Sequence, residues 1–226
     1  MSQLWLVIIF ISSLVFASFL ASREKKKKII FFGDSLTQAG TEPNGYITLL
    51  NKMFHQHGIH GYQLISAGMG GNKVNDLLLR MDDGVLRKFP YMVVIFIGIN
   101  DVWQKKTKGA ATEEDKFEEV YNIIISKMIQ TGTKVILCTP AVIGERYDGA
   151  NELDDDLNRY CNLIRNIAAY LHLPLVDIRK TFVDYETKNN TANSENGILT
   201  TDGVHLNDKG NELVAEVMWK VIKNVK

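Results

Sequence analysis

Ile29-Ile30-Phe31-Phe32-Gly33-Asp34-Ser35-Leu36 is the stretch on which the reading of this chain turns. Four apolar residues in a row, two β-branched and two aromatic, read as a short buried strand. Gly33 ends the run, and Gly, Asp and Ser together are turn chemistry. A strand with no polar alternation is covered on both faces, which is the signature of a parallel sheet.

The same alternation continues outward from this stretch. Tyr46 to His57 carries apolar residues at helical spacing, and Tyr62-Gln63-Leu64-Ile65-Ser66 reads as a second strand. Asn72 to Arg80 is expected to be a short helix, with Val74, Leu77 and Leu78 on one face. Tyr91 to Ile97 is an apolar third strand, and Glu113 to Thr131 a long amphipathic helix whose acidic first turn suits the helix dipole. Lys134 to Cys138, stopped by Thr139-Pro140, is a fourth strand. Asp154 to Leu171 is a helix, Leu173 to Asp177 a short fifth strand, and Asn207 to Val225 a closing helix. Strands alternating with helices predict an α/β domain with helices on both faces of a parallel sheet. There is no internal repeat and no second domain.

Ligands of such sheets bind at the carboxyl ends of the strands. Three loops converge there: Gly33-Asp34-Ser35, Gly68-Met69-Gly70-Gly71-Asn72 and Gly98-Ile99-Asn100-Asp101. A fourth block, Asp202-Gly203-Val204-His205, lies near the C-terminus. Ser35 in a strand-to-helix turn is a candidate nucleophile, and a serine hydroxyl needs a general base. Of the five histidines, only His205 has a carboxylate three residues earlier. Asp202 is placed to hold the ring tautomer. Ser35 and Gly71 offer backbone amides and Asn100 a side-chain amide to a developing oxyanion. Each block alone is ordinary turn chemistry. In this order, at strand ends, they form the inventory that ester hydrolysis requires.

These residues resemble the GDSL or SGNH hydrolase family, whose signature serine, glycine, asparagine and histidine fall on Ser35, Gly71, Asn100 and His205. The resemblance covers the chain from about Lys28 onward. It implies a flavodoxin-like three-layer α/β/α sandwich with a five-stranded parallel sheet. It also implies a serine esterase mechanism with no metal and no cofactor, and lysophospholipase- or arylesterase-like members are similar in length. The family's second block is usually Gly-Asp, whereas this chain has Gly71-Asn72, so Gly70 and Gly71 both stand as amide donors. No Gly-x-Ser-x-Gly elbow surrounds Ser35, unlike the α/β-hydrolases.

Other features set limits. The 226 residues carry 26 Lys plus Arg and 26 Asp plus Glu, a net charge of zero, so no nucleic-acid footprint is expected. Two cysteines, Cys138 and Cys161, make neither a disulfide framework nor a zinc cluster and read as buried thiols. His55, His57, His60 and His172 read as solvated. Asn189-Asn190-Thr191 matches a glycosylation sequon, with meaning only in a eukaryotic secretory pathway.

Leu4 to Leu20 is apolar apart from serines and is followed by Arg23 and Lys25 to Lys28. Residues 1–24 are therefore expected to be a signal peptide, cut after Ala17, or a membrane anchor through residues 4–20. Residues 25–226 then form the hydrolase domain, exported (periplasmic or secreted) or membrane-anchored. The expected substrate is a lipid, carbohydrate or other small ester. A lysophospholipase and a carbohydrate O-acetylesterase both fit. Outside enzymology, a silent binding module or an anchored interaction protein would keep the fold. Trp103 to Thr112 and Ala141 to Leu153 are expected to be loops over the site. Lys105, Lys106, Lys108 and Arg146 form either a cationic rim or a set of solvated charges.

Overall fold

A computed structural model describes residues 26–225, so residues 1–24, expected to export or anchor the chain, lie outside the described residues. Five strands form one sheet: β1 (Lys27–Gly33), β2 (Tyr62–Gly68), β3 (Met92–Phe96), β4 (Lys134–Cys138) and β5 (Leu175–Val176). Their order is β2-β1-β3-β4-β5 and every pairing is parallel. This is the flavodoxin-like order, as the four blocks implied.

The strands divide their residues between two layers with the period of 2 that a pleated strand imposes. Ile30, Phe32, Val93, Ile95, Val135 and Leu137 face one way. They pack on α3 (Val74–Gly84), α5 (Glu114–Gln130) and α6 (Asp154–Tyr170). Ile29, Phe31, Met92, Val94, Phe96, Ile136 and Val176 face the other way. Their cover is α2 (Tyr46–Gln56), α7 (Ile178–Asn189) and α8 (Asp208–Ile222). Two short helices complete the set, α1 (Ser35–Ala39) and α4 (Ile99–Lys108).

Helix α5 shows how pattern becomes packing. Phe117, Val120, Tyr121, Ile124, Ile125 and Met128 recur at helical spacing and are all buried. Glu114 and Asp115 occupy the first turn, and Gly132, at φ +76°, takes the left-handed turn just beyond the end. Each buried large side chain contributes about 1.5–3 kcal/mol, which outweighs the helix-propensity cost of its β-branched residues.

Two expectations shift. The fifth strand contracts to two residues, Leu175–Val176. Pro174 has no N–H for a ladder, and Asp177 leaves the sheet to cap α7, accepting from the Lys180 amide. Helix α7 itself is additional; its buried Ile178, Phe182 and Glu186 follow an i, i+4, i+8 pattern. Cys138 and Cys161 are buried free thiols, as read, and burial pushes both well above the ordinary thiol range.

Strands β1 and β3 are neighbours, but the chain leaves β1 towards β2 and leaves β3 towards β4. A crevice opens where the order reverses, at their carboxyl ends. Ser35 follows β1 there and Asn100 follows β3.

Candidate active site

The sharp exit from β1 depends on Gly33, where a Cβ would stand 2.2 Å from the Phe96 carbonyl oxygen and 2.3 Å from Thr37 Oγ1. Asp34 caps α1, accepting from the Leu36 amide at 3.0 Å. It is buried, and desolvation raises its pKa to about 7 against the pull of that amide. Ser35 opens the helix. Its own N–H has no partner among the described residues.

Ser35 Oγ lies 3.2 Å from His205 Nε2, and His205 Nδ1 lies 2.7 Å from Asp202 Oδ2. Nδ1–H donating to the carboxylate leaves the Nε2 lone pair facing the serine. Asp202 also accepts from the amides of Val204 at 3.0 Å and His205 at 2.8 Å, which ties its carboxylate to the turn carrying His205. Partial burial would raise the Asp202 pKa, but the bonds from the His205 ring and these amides prevail and hold it below the ordinary carboxylate value. Gly203, at φ +91°, permits the turn. The Trp103 ring meets His205 edge-on, 5.9 Å between centroids.

On the opposite wall, the two glycines are distinguishable. The Gly70 amide donates to Gln38 Oε1 at 2.7 Å. The Gly71 amide has no partner among the described residues, and its φ of +76° is one that glycine adopts without strain. Gln104 Nε2 donates to the Gly71 carbonyl at 2.8 Å and holds that peptide in place. Asn100 is buried, and its Nδ2 donates to the Asn72 carbonyl at 3.1 Å, which leaves its second amide hydrogen unassigned. Arg80 binds this wall together. Its guanidinium lies over the Phe32 ring and donates to Gly33 O at 2.8 Å, Ala67 O at 2.9 Å and Asn72 Oδ1 at 2.6 Å. Asp101 is fully buried, accepts from Thr112 Oγ1 at 2.7 Å and from the Val74 amide, and burial raises its pKa to about 6.

The structure thus brings Ser35, His205 and Asp202 into one hydrogen-bonded chain. Gln38, Arg80 and Gln104 went unnoticed in the sequence, since long polar side chains on helices usually face solvent. Trp103 to Lys108, expected to be a loop, belongs to α4. Gly98 at its start and Gly109 at its end were the signal, with Ile99 and Val102 as its buried face. Residues 141–153 are irregular, as expected. The cationic rim does not form: Lys105 pairs with Asp156, Lys106 with Glu152 and Arg146 with Glu195. His55, His57, His60 and His172 are exposed. Among the described residues, no group of three His, Cys, Asp or Glu side chains is placed to hold a metal ion.

A profile of the GDSL-like Lipase/Acylhydrolase family matches residues 31–213, which include all four blocks. The crystal structure of an acetyl xylan esterase, AlAXEase, is 52% identical, has a TM-score of 0.84, and the match covers 85% of this chain and 98% of that one. An acetylxylan esterase of Geobacillus stearothermophilus is 27% identical over 178 residues, 69% of this chain and 78% of that protein. An uncharacterized lipoprotein of Bacillus subtilis (strain 168), YqeF, is 26% identical over 174 residues, 68% and 70% of the two chains. The match spans nearly the whole described domain, so the chain belongs to the GDSL-like lipase/acylhydrolase family and is a carboxylic ester hydrolase.

Proposed function

We propose that this enzyme removes acetyl groups from carbohydrate hydroxyls, with Ser35 as nucleophile, His205 as acid–base and Asp202 as its orienting carboxylate. The Ser35–His205–Asp202 hydrogen-bond chain carries the reading. Ser35 Oγ attacks the acyl carbon as His205 Nε2 takes its proton. The carbonyl oxygen becomes an oxyanion held by the N–H groups of Ser35 and Gly71 and by Asn100 Nδ2. His205 returns the proton to the leaving alcohol, and water, deprotonated by the same ring, releases acetate from the acyl-enzyme.

Carbohydrate is favoured over a long acyl chain for two reasons. The 52% identical relative is an acetyl xylan esterase. The cleft bordering Asp202–Val204, about 360 Å³, sets Lys106, Arg146, Asn151, Glu152 and Glu195 beside Trp103 and a smaller aliphatic part from Ile143, Ala150 and Leu153. Polar groups of both signs and one aromatic face suit sugar hydroxyls and a sugar ring better than an alkyl tail. A panel of acetyl, butyryl and long-chain esters with acetylated xylooligosaccharides tests this. Acetyl esters should lead long-chain esters in kcat/KM by about tenfold or more, the scale on which a pocket discriminates added methylenes. A long-chain ester turned over fastest would reverse the assignment.

We further propose that residues 1–24 export or anchor the domain. The apolar run with its basic flank supports this, as does the lipoprotein name of one relative. Among the described residues no helix is long and apolar enough to cross a membrane. Mass spectrometry of natively expressed protein distinguishes a new N-terminus near Ser18 from an intact Met1 in the membrane fraction. An intact Met1 on fully soluble protein refutes both forms.

A further inference from the structure

The irregular segment between β4 and α6 contains a carboxylate that ester hydrolysis does not use. Glu145 is 0% exposed. A buried carboxylate costs several kcal/mol unless its oxygens are satisfied, so its partners reveal its purpose. All four side-chain hydrogen bonds it accepts come from one tripeptide. The Ile198 amide reaches Oε2 at 2.7 Å, while the Leu199 amide and Thr200 Oγ1 reach Oε1, each at 2.7 Å. The Thr200 amide adds a fourth bond, to Oε1. These three amides have no other acceptor among the described residues.

Thr200 passes the constraint on. Its hydroxyl hydrogen points to Glu145, so its lone pairs are open, and Oγ1 accepts from the Gly203 amide at 3.0 Å. Gly203 sits between Asp202 and His205. The turn also closes on itself, with Thr200 bridged to Leu206 and the Thr201 amide donating to the His205 carbonyl at 2.7 Å. The Gly144 amide, next to Glu145, donates to the Gly203 carbonyl at 2.8 Å. The turn is thus a small unit, and Glu145 seats it on the body of the domain. His205 itself is two-fifths exposed, with the edge-on Trp103 ring as its aromatic contact, so packing alone does not fix it.

We infer that Glu145 is a positioning residue for hydrolysis: through Thr200 and Gly203 it sets the Asp202–His205 turn at the distance from Ser35 that proton transfer needs. The inference rests on the reading of Ser35, His205 and Asp202 given above. A misplacement of about 1 Å between reacting groups costs about 100-fold in rate, whereas substrate affinity is set elsewhere. Loss of Glu145 should therefore appear in kcat and not in KM.

The test uses Glu145→Gln, Glu145→Ala and Thr200→Val in the full chain, with p-nitrophenyl acetate as substrate. Active sites are counted by covalent labelling with a sulfonyl fluoride, so kcat is expressed per competent site. Glu145→Ala should lower that kcat by about 10–100-fold with KM within about threefold. Glu145→Gln keeps one acceptor oxygen but sets an NH₂ against the Ile198 amide, so it should lose less. Thr200→Val, which leaves the carboxylate in place, should lose about tenfold. If Glu145→Ala fails to fold, Thr200→Val decides alone. Unchanged kcat per site in the folded variants, or a loss explained wholly by fewer competent sites, overturns the inference. Ser35→Ala runs alongside. An inactive Ser35→Ala with unaffected Glu145 and Thr200 variants refutes only the positioning role, whereas an active Ser35→Ala refutes the triad beneath it.

Discussion

Ser35 and His205 stand 170 positions apart in the chain and 3.2 Å apart in the molecule. In the proposed mechanism neither is activated by itself; the hydroxyl needs the ring and the ring needs its tautomer fixed by Asp202. Ser35→Ala and His205→Ala should therefore each abolish nearly all ester hydrolysis with melting temperature close to that of the parent, checked by turnover and thermal unfolding on the same samples. Asn100→Ala removes one of the proposed oxyanion donors and should lower kcat by about 10²–10³ with little change in KM. Asp202→Asn should lower kcat by about 10⁴ if the ring adopts the wrong tautomer. At this scale the sequence was highly legible. Asp-x-x-His is a local turn, and its hydrogen bonds from Asp202 to the His205 ring and amide are short-range contacts that spacing alone can forecast. Gly70 against Gly71 was not legible, because the competitor for the Gly70 amide, Gln38, lies 32 residues away.

The elements position these residues through close backbone contacts. Gly68, at the end of β2, has no room for a side chain: a Cβ would stand 2.1 Å from the Gln38 amide nitrogen and 2.5 Å from the Thr37 carbonyl carbon. Both atoms belong to α1, which begins at Ser35, and backbone cannot swing aside as a side-chain tip does. Gly68→Ala should destabilise by about 3 kcal/mol and also lower kcat, since relief of the clash moves the helix carrying Ser35, the proposed nucleophile. Gly61→Ala, where a Cβ meets nothing within 4 Å, should change neither by much. Urea unfolding with parallel assays checks both. The long elements could be read in advance, since α5 repeats its apolar face over 17 residues. The short ones could not. Helix α4 has ten residues, several of them lysines, and its basic outer face masked Ile99 and Val102. Helix α7 buries Arg179 and Glu186 along with Ile178 and Phe182, and charged residues on an inner face contradict the usual pattern.

At the scale of the whole molecule, three buried acids among the described residues bind their protons more tightly folded than unfolded. Desolvation raises Asp101 to about 6, Asp34 to about 7 and Glu186 to about 8, from ordinary values of 3.8, 3.8 and 4.5. Their contribution is complete below the ordinary carboxyl range and is lost as pH rises through the raised values. Stability should thus fall between about pH 4 and pH 8. Glu186 is the clearest probe, because its Oε1 is buried with no hydrogen-bond partner among the described residues. Glu186→Gln should be near neutral at pH 5 and stabilising by about 1–2 kcal/mol at pH 9, read from urea midpoints. What the sequence determined by itself was whatever short-range physics controls: apolar strands that must be covered on both faces, amphipathic helices, and turn residues that expose a serine, a glycine, an asparagine and an Asp–His pair. The parallel order 2-1-3-4-5, the Arg80 latch between β1 and β2, the engagement of the Gly70 amide by Gln38 and the bonds from Glu145 through Thr200 to the Asp202–His205 turn were decided only in three dimensions. Each of those depends on a polar group meeting a partner from a distant part of the chain. Burial then favours the match, because an unpaired buried polar group costs about 1–3 kcal/mol.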